Sequence, residues 1–74
     1  MSMREAQYLA KFATCLERQA IAAHLAAEGE PTGRQMRAAE HEEARILAAC
    51  RNDLGSRRAA HIHAEAIART YAAA

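Results

Sequence analysis

The sequence predicts an all-α protein of three helices, and three observations carry that reading. The chain has no valine, and isoleucine and threonine alone supply β-branching. Most of the rest is Ala, Arg, Glu, Gln, Leu and Met, all strong helix formers. Two short clusters, Gly29-Glu30-Pro31-Thr32-Gly33 and Asn52-Asp53-Leu54-Gly55-Ser56, punctuate the chain. Glycine relieves the steric cost of a helix end, and proline cannot continue a helix. Between the clusters, apolar residues recur at helical spacing.

The first helix is expected from about residue 3 to residue 28. Ser2 is its N-cap, and Glu5 three residues later completes a capping box. At about 100° per residue, Tyr8, Leu9, Phe12, Cys15 and Leu16 share one face, while Ile21 and Leu25 fall on nearly the opposite one. Thr14-Cys15-Leu16-Glu17 has the spacing of a second capping box, which would break the helix there. Helix formers on both sides, with no Gly or Pro, favour one continuous helix with two contact faces, and that is the reading adopted.

The second helix is expected over about 33–52, with Thr32 as its cap. Met36, Ala39, Ile46, Leu47, Cys50 and Leu54 form its apolar stripe, and Glu43 falls inside it. A carboxylate there must be paired, or must sit where two molecules meet. Lys11, Arg18 and a residue of a second chain are the candidate partners. Arg34, Arg37, His41 and Arg45 lie opposite, on a solvated face. The third helix is expected over about 56–71, with Gly55 closing the second helix and Ser56 capping the third. Its expected apolar face is Ala60, His63, Ala64, Ile67 and Tyr71, and its polar face is Arg58, His61, Glu65 and Arg69. Ala72 to Ala74 are expected to fray.

The 74 residues suit one small domain. A domain of this size buries only about 60% of its unfolded surface. Alanine supplies most of the apolar content here, and alanine buries little area per residue. Thin cores of this kind are commonly supplemented by a second copy. A homodimer is therefore expected, with Tyr8, Phe12, Leu16, Ile21, Leu25 and Glu43 at the partner or dimer interface.

Formal net charge is +1, too small for a strong nucleic-acid footprint. Nine of the ten basic residues are arginine, a bias that a GC-rich genome produces with no function attached. Cys15 and Cys50 are the only cysteines. No signal peptide precedes them and no apolar run is long enough to span a membrane. A cytoplasmic protein with both thiols reduced is expected.

Chemistry is thinly represented. His61 and His63 are two apart and do not face each other on a helix. His61 and Glu65 make a two-ligand pair, where a metal site needs three or four ligands. Cys15, His41 and Cys50 would have to converge from separate helices. Glu40, Glu42 and Glu43 read as a solvated acidic turn, and neither cysteine has a feature in sequence that lowers its pKa. No catalytic residue, metal site or cofactor is expected, and the chain does not read as an enzyme.

One stretch resembles a known DNA-binding motif. Ile21-Ala22-Ala23-His24-Leu25-Ala26-Ala27-Glu28-Gly29, followed by Pro31-Thr32 and Met36, is similar to the first part of a helix-turn-helix as found in some recombinase and repressor families. The resemblance covers fewer than twenty residues and departs from the motif in turn length and in the helix that follows. It implies that Arg34, Gln35 and Arg37 begin a recognition helix and contact phosphates or bases. Glu40, Glu42 and Glu43 on the same helix would repel phosphate. The alternative is an αα-hairpin joined by a capped turn. The leading expectation is a small helical protein-interaction module of the inhibitor, adaptor or regulator type, acting as a homodimer. A helix-turn-helix transcriptional regulator is the second reading.

Overall fold

A computed structural model describes residues 1–72. Three helices, α1 (Met3–Ala27), α2 (Gly33–Leu54) and α3 (Ser56–Ala72), make up nearly all of it, and each packs on the other two. The expected fraying reaches residues 73 and 74, which lie outside the described residues, whereas Ala72 is the last residue of α3.

Helices α1 and α2 run antiparallel along their whole lengths. Arg4 meets Asp53 at one end, Cys15 meets Ala39 in the middle, and Ala22 meets Thr32 beside the connecting turn. Helix α3 folds back alongside both. Arg58 reaches Glu5, and His63 lies against Phe12 and Glu43. The result is an up-down-up bundle measuring 40 × 23 × 17 Å.

The start of α1 is closed by the expected capping box. The Glu5 N–H donates to Ser2 Oγ and the Ser2 N–H donates to Glu5 Oε1, each at 3.2 Å. The Ser2 backbone bond, then the hydroxyl, hold the Glu5 carboxyl below its ordinary pKa. Helix α1 is continuous through Thr14. The Thr14 hydroxyl donates to the Ala10 carbonyl at 3.0 Å, so it is satisfied inside the helix and caps nothing. Gly29, at φ +93°, then turns the chain. The N–H groups of Glu28, Gly29 and Glu30 reach back to the carbonyls of Leu25 and Ala26. Gly55, also at positive φ (+90°), ends α2 at Leu54, two residues later than expected.

Thr32 departs from its expected role. It stands before α2 but makes no capping bond. Its hydroxyl is buried and donates to the Ala22 carbonyl of α1 at 2.8 Å. The side chain therefore fastens the turn to α1. Thr32→Val keeps the shape and removes that bond, so it is expected to cost about 1 kcal/mol, or about 4–8 °C in Tm. Thermal unfolding followed by circular dichroism measures this, and an unchanged Tm would show that the clamp contributes nothing.

The core draws Leu9, Phe12, Cys15 and Leu16 from α1, Ala39, Ile46 and Cys50 from α2, and Ala59, Ile62 and Ala66 from α3. Tyr8, Leu47 and Leu54 pack at its margin. The α2 stripe is as expected. The buried face of α3 is not. Ala60, Ala64, Ile67 and Tyr71 are exposed, and the helix turns Ile62 inward with an alanine one turn away on either side. An alanine-rich helix has little contrast between its sides, so the large residues decide. Ile62 and Ile67 lie about 140° apart at helical spacing, and the bundle buries only the first.

Candidate functional site

The residues expected at an interface do not stay together. Phe12 and Leu16 are in the core of the single chain and cannot reach a partner. Their face of α1 meets α2 and α3, because it carries the largest apolar residues of the bundle. Tyr8 is half-buried, and its hydroxyl donates to Asp53 Oδ2 at 3.1 Å, beside the Arg4–Asp53 ion pair at 2.8 Å. Ile21 and Leu25 remain outside, 54% and 37% exposed.

Ile21 and Leu25 border a cleft of about 520 Å³ between the C-terminal half of α1 and the N-terminal half of α2. Ala22 and Ala39, both buried, and Ala38 line it, and Arg18, Gln35, Glu42 and Arg45 stand around it. A second cleft, of about 420 Å³, shares Arg18, Glu42 and Arg45 and extends toward the other end of the hairpin past Thr14, Ile46 and Ala49 to Lys11 and Tyr8. Lys11 Nζ sits 5.6 Å from the centre of the Tyr8 ring. No residue of α3 lines either cleft. At the shared centre Arg45 donates to the Glu42 carboxylate three residues before it.

Glu43 is paired within the chain. Gln19 Nε2 donates to Glu43 Oε1 at 2.7 Å, and His63 Nε2 lies 2.6 Å from Glu43 Oε2. The partners are thus Gln19 of α1 and His63 of α3, not Lys11, Arg18 or a second chain. His63 in turn stacks on Phe12, with ring centroids 4.8 Å apart and planes tilted by 33°. One polar cluster joins all three helices at one level of the bundle. Burial pushes the Glu43 carboxyl up. The hydrogen bonds from Gln19 and His63, with the attraction of His63, more than offset this and leave its pKa below the ordinary value. The pairing had a signal in the sequence: Glu43 and His63 are the polar residues placed within the expected apolar faces of α2 and α3.

Both cysteines are free and buried. Cys15 Sγ donates to the Ala39 carbonyl at 2.8 Å, and Cys50 is fully enclosed. Burial, reinforced by nearby carboxylates, pushes both thiols up, so they stay protonated and poorly nucleophilic. Among the described residues no three His, Cys, Asp or Glu side chains converge in a way that could hold a metal ion. Glu65, the suggested companion of His61, accepts two bonds from Arg69 instead, at 3.2 and 3.1 Å. No helix among the described residues is long and apolar enough to cross a membrane.

Arg34, Gln35 and Arg37 are exposed at the start of α2. In a helix-turn-helix the two helices cross at about 90–120°. Here they lie antiparallel from Arg4–Asp53 to Ala22–Thr32, which is the geometry of an αα-hairpin. Glu40 is exposed on the same helix as the arginines. The chain matches no protein-family model, no curated protein and no solved structure.

Proposed function

We propose that the protein acts by binding another protein, as an inhibitor, adaptor or regulator, and that it does so as a homodimer. The observation that carries this reading is the face of the hairpin that α3 leaves open. Two large apolar side chains, Ile21 and Leu25, stand exposed there beside a cleft lined by alanines. Ile67 and Tyr71 are exposed too, on α3, but border neither cleft, and this supports the hairpin face as the contact surface. An alanine lining lets a partner helix approach closely, and Arg18, Glu42 and Arg45 supply a polar rim. The test compares wild type with Ile21→Arg as immobilised bait in host extract. A protein retained by wild type and lost with the variant should form a stoichiometric complex when purified. Equal retention by both baits would remove this face from the function.

Sequence-specific DNA binding is the second reading, favoured by the exposed Arg34, Gln35 and Arg37. It ranks below the first because the helices bearing the motif are antiparallel and the net charge is only +1. Arg34→Ala with Arg37→Ala is expected to leave the fold unchanged, and a randomised duplex pool is expected to yield no enriched site. A reproducible enriched site that disappears in the double variant would reverse the ranking.

A further inference from the structure

Helix α3 gives the core one large side chain, Ile62, flanked by Ala59 and Ala66. Helices α1 and α2 hold each other more firmly. They contribute Leu9, Phe12, Leu16 and Ile46 to the core, and two buried neutral hydrogen bonds join them, Cys15 to the Ala39 carbonyl and Thr32 to the Ala22 carbonyl. The side-chain links of α3 to the hairpin, among the described residues, are of another kind. Each joins an acidic residue of the hairpin to a basic residue of α3: Glu5 to Arg58 at 3.4 Å, and Glu43 to His63 at 2.6 Å. Formal charge divides the same way. Helix α3 carries Arg57, Arg58, Arg69, His61 and His63 against Glu65 alone, whereas residues 1–54 carry eight Asp or Glu against seven Lys or Arg. We infer that α3 is a strap that acid releases from the α1–α2 hairpin, uncovering the side of Phe12 on which His63 rests. This does not depend on what the hairpin face binds.

At neutral pH the hairpin is slightly negative and α3 is positive, so the two attract. Protonating the hairpin carboxylates makes both positive, and attraction turns to repulsion. The coupling is centred on Glu43. Burial raises its pKa, and the hydrogen bonds from Gln19 and His63, with the attraction of His63, outweigh burial and leave it lowered. Gln19 belongs to α1, so only the share due to His63 leaves with α3. The Cys15 thiol also faces Glu43 from α1, but burial keeps it protonated and it takes no part on the acid side. Glu5 is a weaker link. The Ser2 backbone and hydroxyl hold it low and stay with α1, and of its charged neighbours, Arg58 and the Met1 amino group, only Arg58 moves with α3. A carboxyl whose pKa is lowered in the docked form contributes docking stability that is present above about pH 4.3, its free value, and lost as pH falls through the lowered value.

Amide hydrogen exchange of the full chain, read residue by residue by NMR and corrected for its intrinsic pH dependence, tests this from pH 6.5 down to about pH 3.5. Amides of 59–66 in α3 should exchange through one common opening and be less protected than those of 9–16 and 39–50 in the hairpin. Protection in α3 should fall at least about tenfold over this range, the effect of one proton taken up across one pH unit, and the hairpin should lose less. Glu43→Gln should lower α3 protection at pH 6.5 and flatten its dependence on pH, and Arg58→Ala should do so to a smaller degree. Equal protection of α3 and the hairpin at every pH would overturn the inference, because the three helices would then open only together. So would α3 protection that ignores pH, or a Glu43→Gln protein with the wild-type pH profile. The wild-type profile decides the matter if the variant fails to fold.

Discussion

Phe12→Ala is expected to remove a large share of the protein's stability. Phe12 is fully enclosed and sits in the core with residues of α2 and α3. Removing a buried phenyl ring costs about 3–5 kcal/mol, the sum of lost transfer free energy and the cavity left behind. A chain of 74 residues has a total stability of only about 4–11 kcal/mol. The ring is also the surface on which His63 rests, so its loss loosens the Glu43 cluster as well. Alanine neighbours cannot swing in to fill the space, because they have no side-chain torsions to adjust. The Tm is expected to fall by at least about 15 °C, with loss of a sharp transition. Phe12→Leu, which refills much of the volume, should recover roughly half of the loss. A Phe12→Ala protein that melts within a few degrees of wild type would mean that the three helices do not close around this ring.

Glu43→Ala is expected to have the next largest effect, a loss of about 2–3 kcal/mol, because it strips charge-assisted partners from Gln19 and His63 together. The pH dependence follows from the lowered pKa of Glu43. A carboxyl whose folded pKa lies below its unfolded one contributes stability that is fully present above the unfolded value, about 4.3. That contribution is lost as pH falls through the folded value. The gap in stability between wild type and Glu43→Ala should therefore narrow as pH falls below about 4.3. Taking the difference removes the parallel acid sensitivity of Glu5, whose carboxyl is also held low by the Ser2 cap. Glu43→Gln keeps the volume and one accepting oxygen, so it should cost less, about 1 kcal/mol. Chemical denaturation on both sides of that pH measures all three proteins. Identical curves for wild type and Glu43→Gln from pH 5 to pH 8 would mean that the carboxylate is merely solvated.

Local chemistry made the helices legible. The Ser2–Glu5 capping box, the Gly29 stop and the uninterrupted run of helix formers through Thr14 each act over a few residues and stand where the sequence placed them, while Gly55 closes α2 with the helix running on to Leu54. The two faces of α1 were also readable, because Phe12 and Leu16 are separated from Ile21 and Leu25 by helical geometry alone. Which of those faces the single chain would consume was not readable. That choice depends on α3, whose own orientation the sequence left ambiguous, since its alanines are spread around its axis and its large apolar residues, Ile62 against Ile67 and Tyr71, lie on different sides. Once α3 turns Ile62 into the core that Phe12 shares, His63 comes within reach of Glu43, and the charge inside the α2 stripe finds its partner within the chain. The same packing leaves Ile21 and Leu25 on the open side of the hairpin. Helix formation is decided by interactions a few residues apart and can be read in order along the chain. The choice of buried face is decided by how three nearly interchangeable alanine surfaces divide a few large side chains among themselves, and that competition is resolved only when all three helices meet.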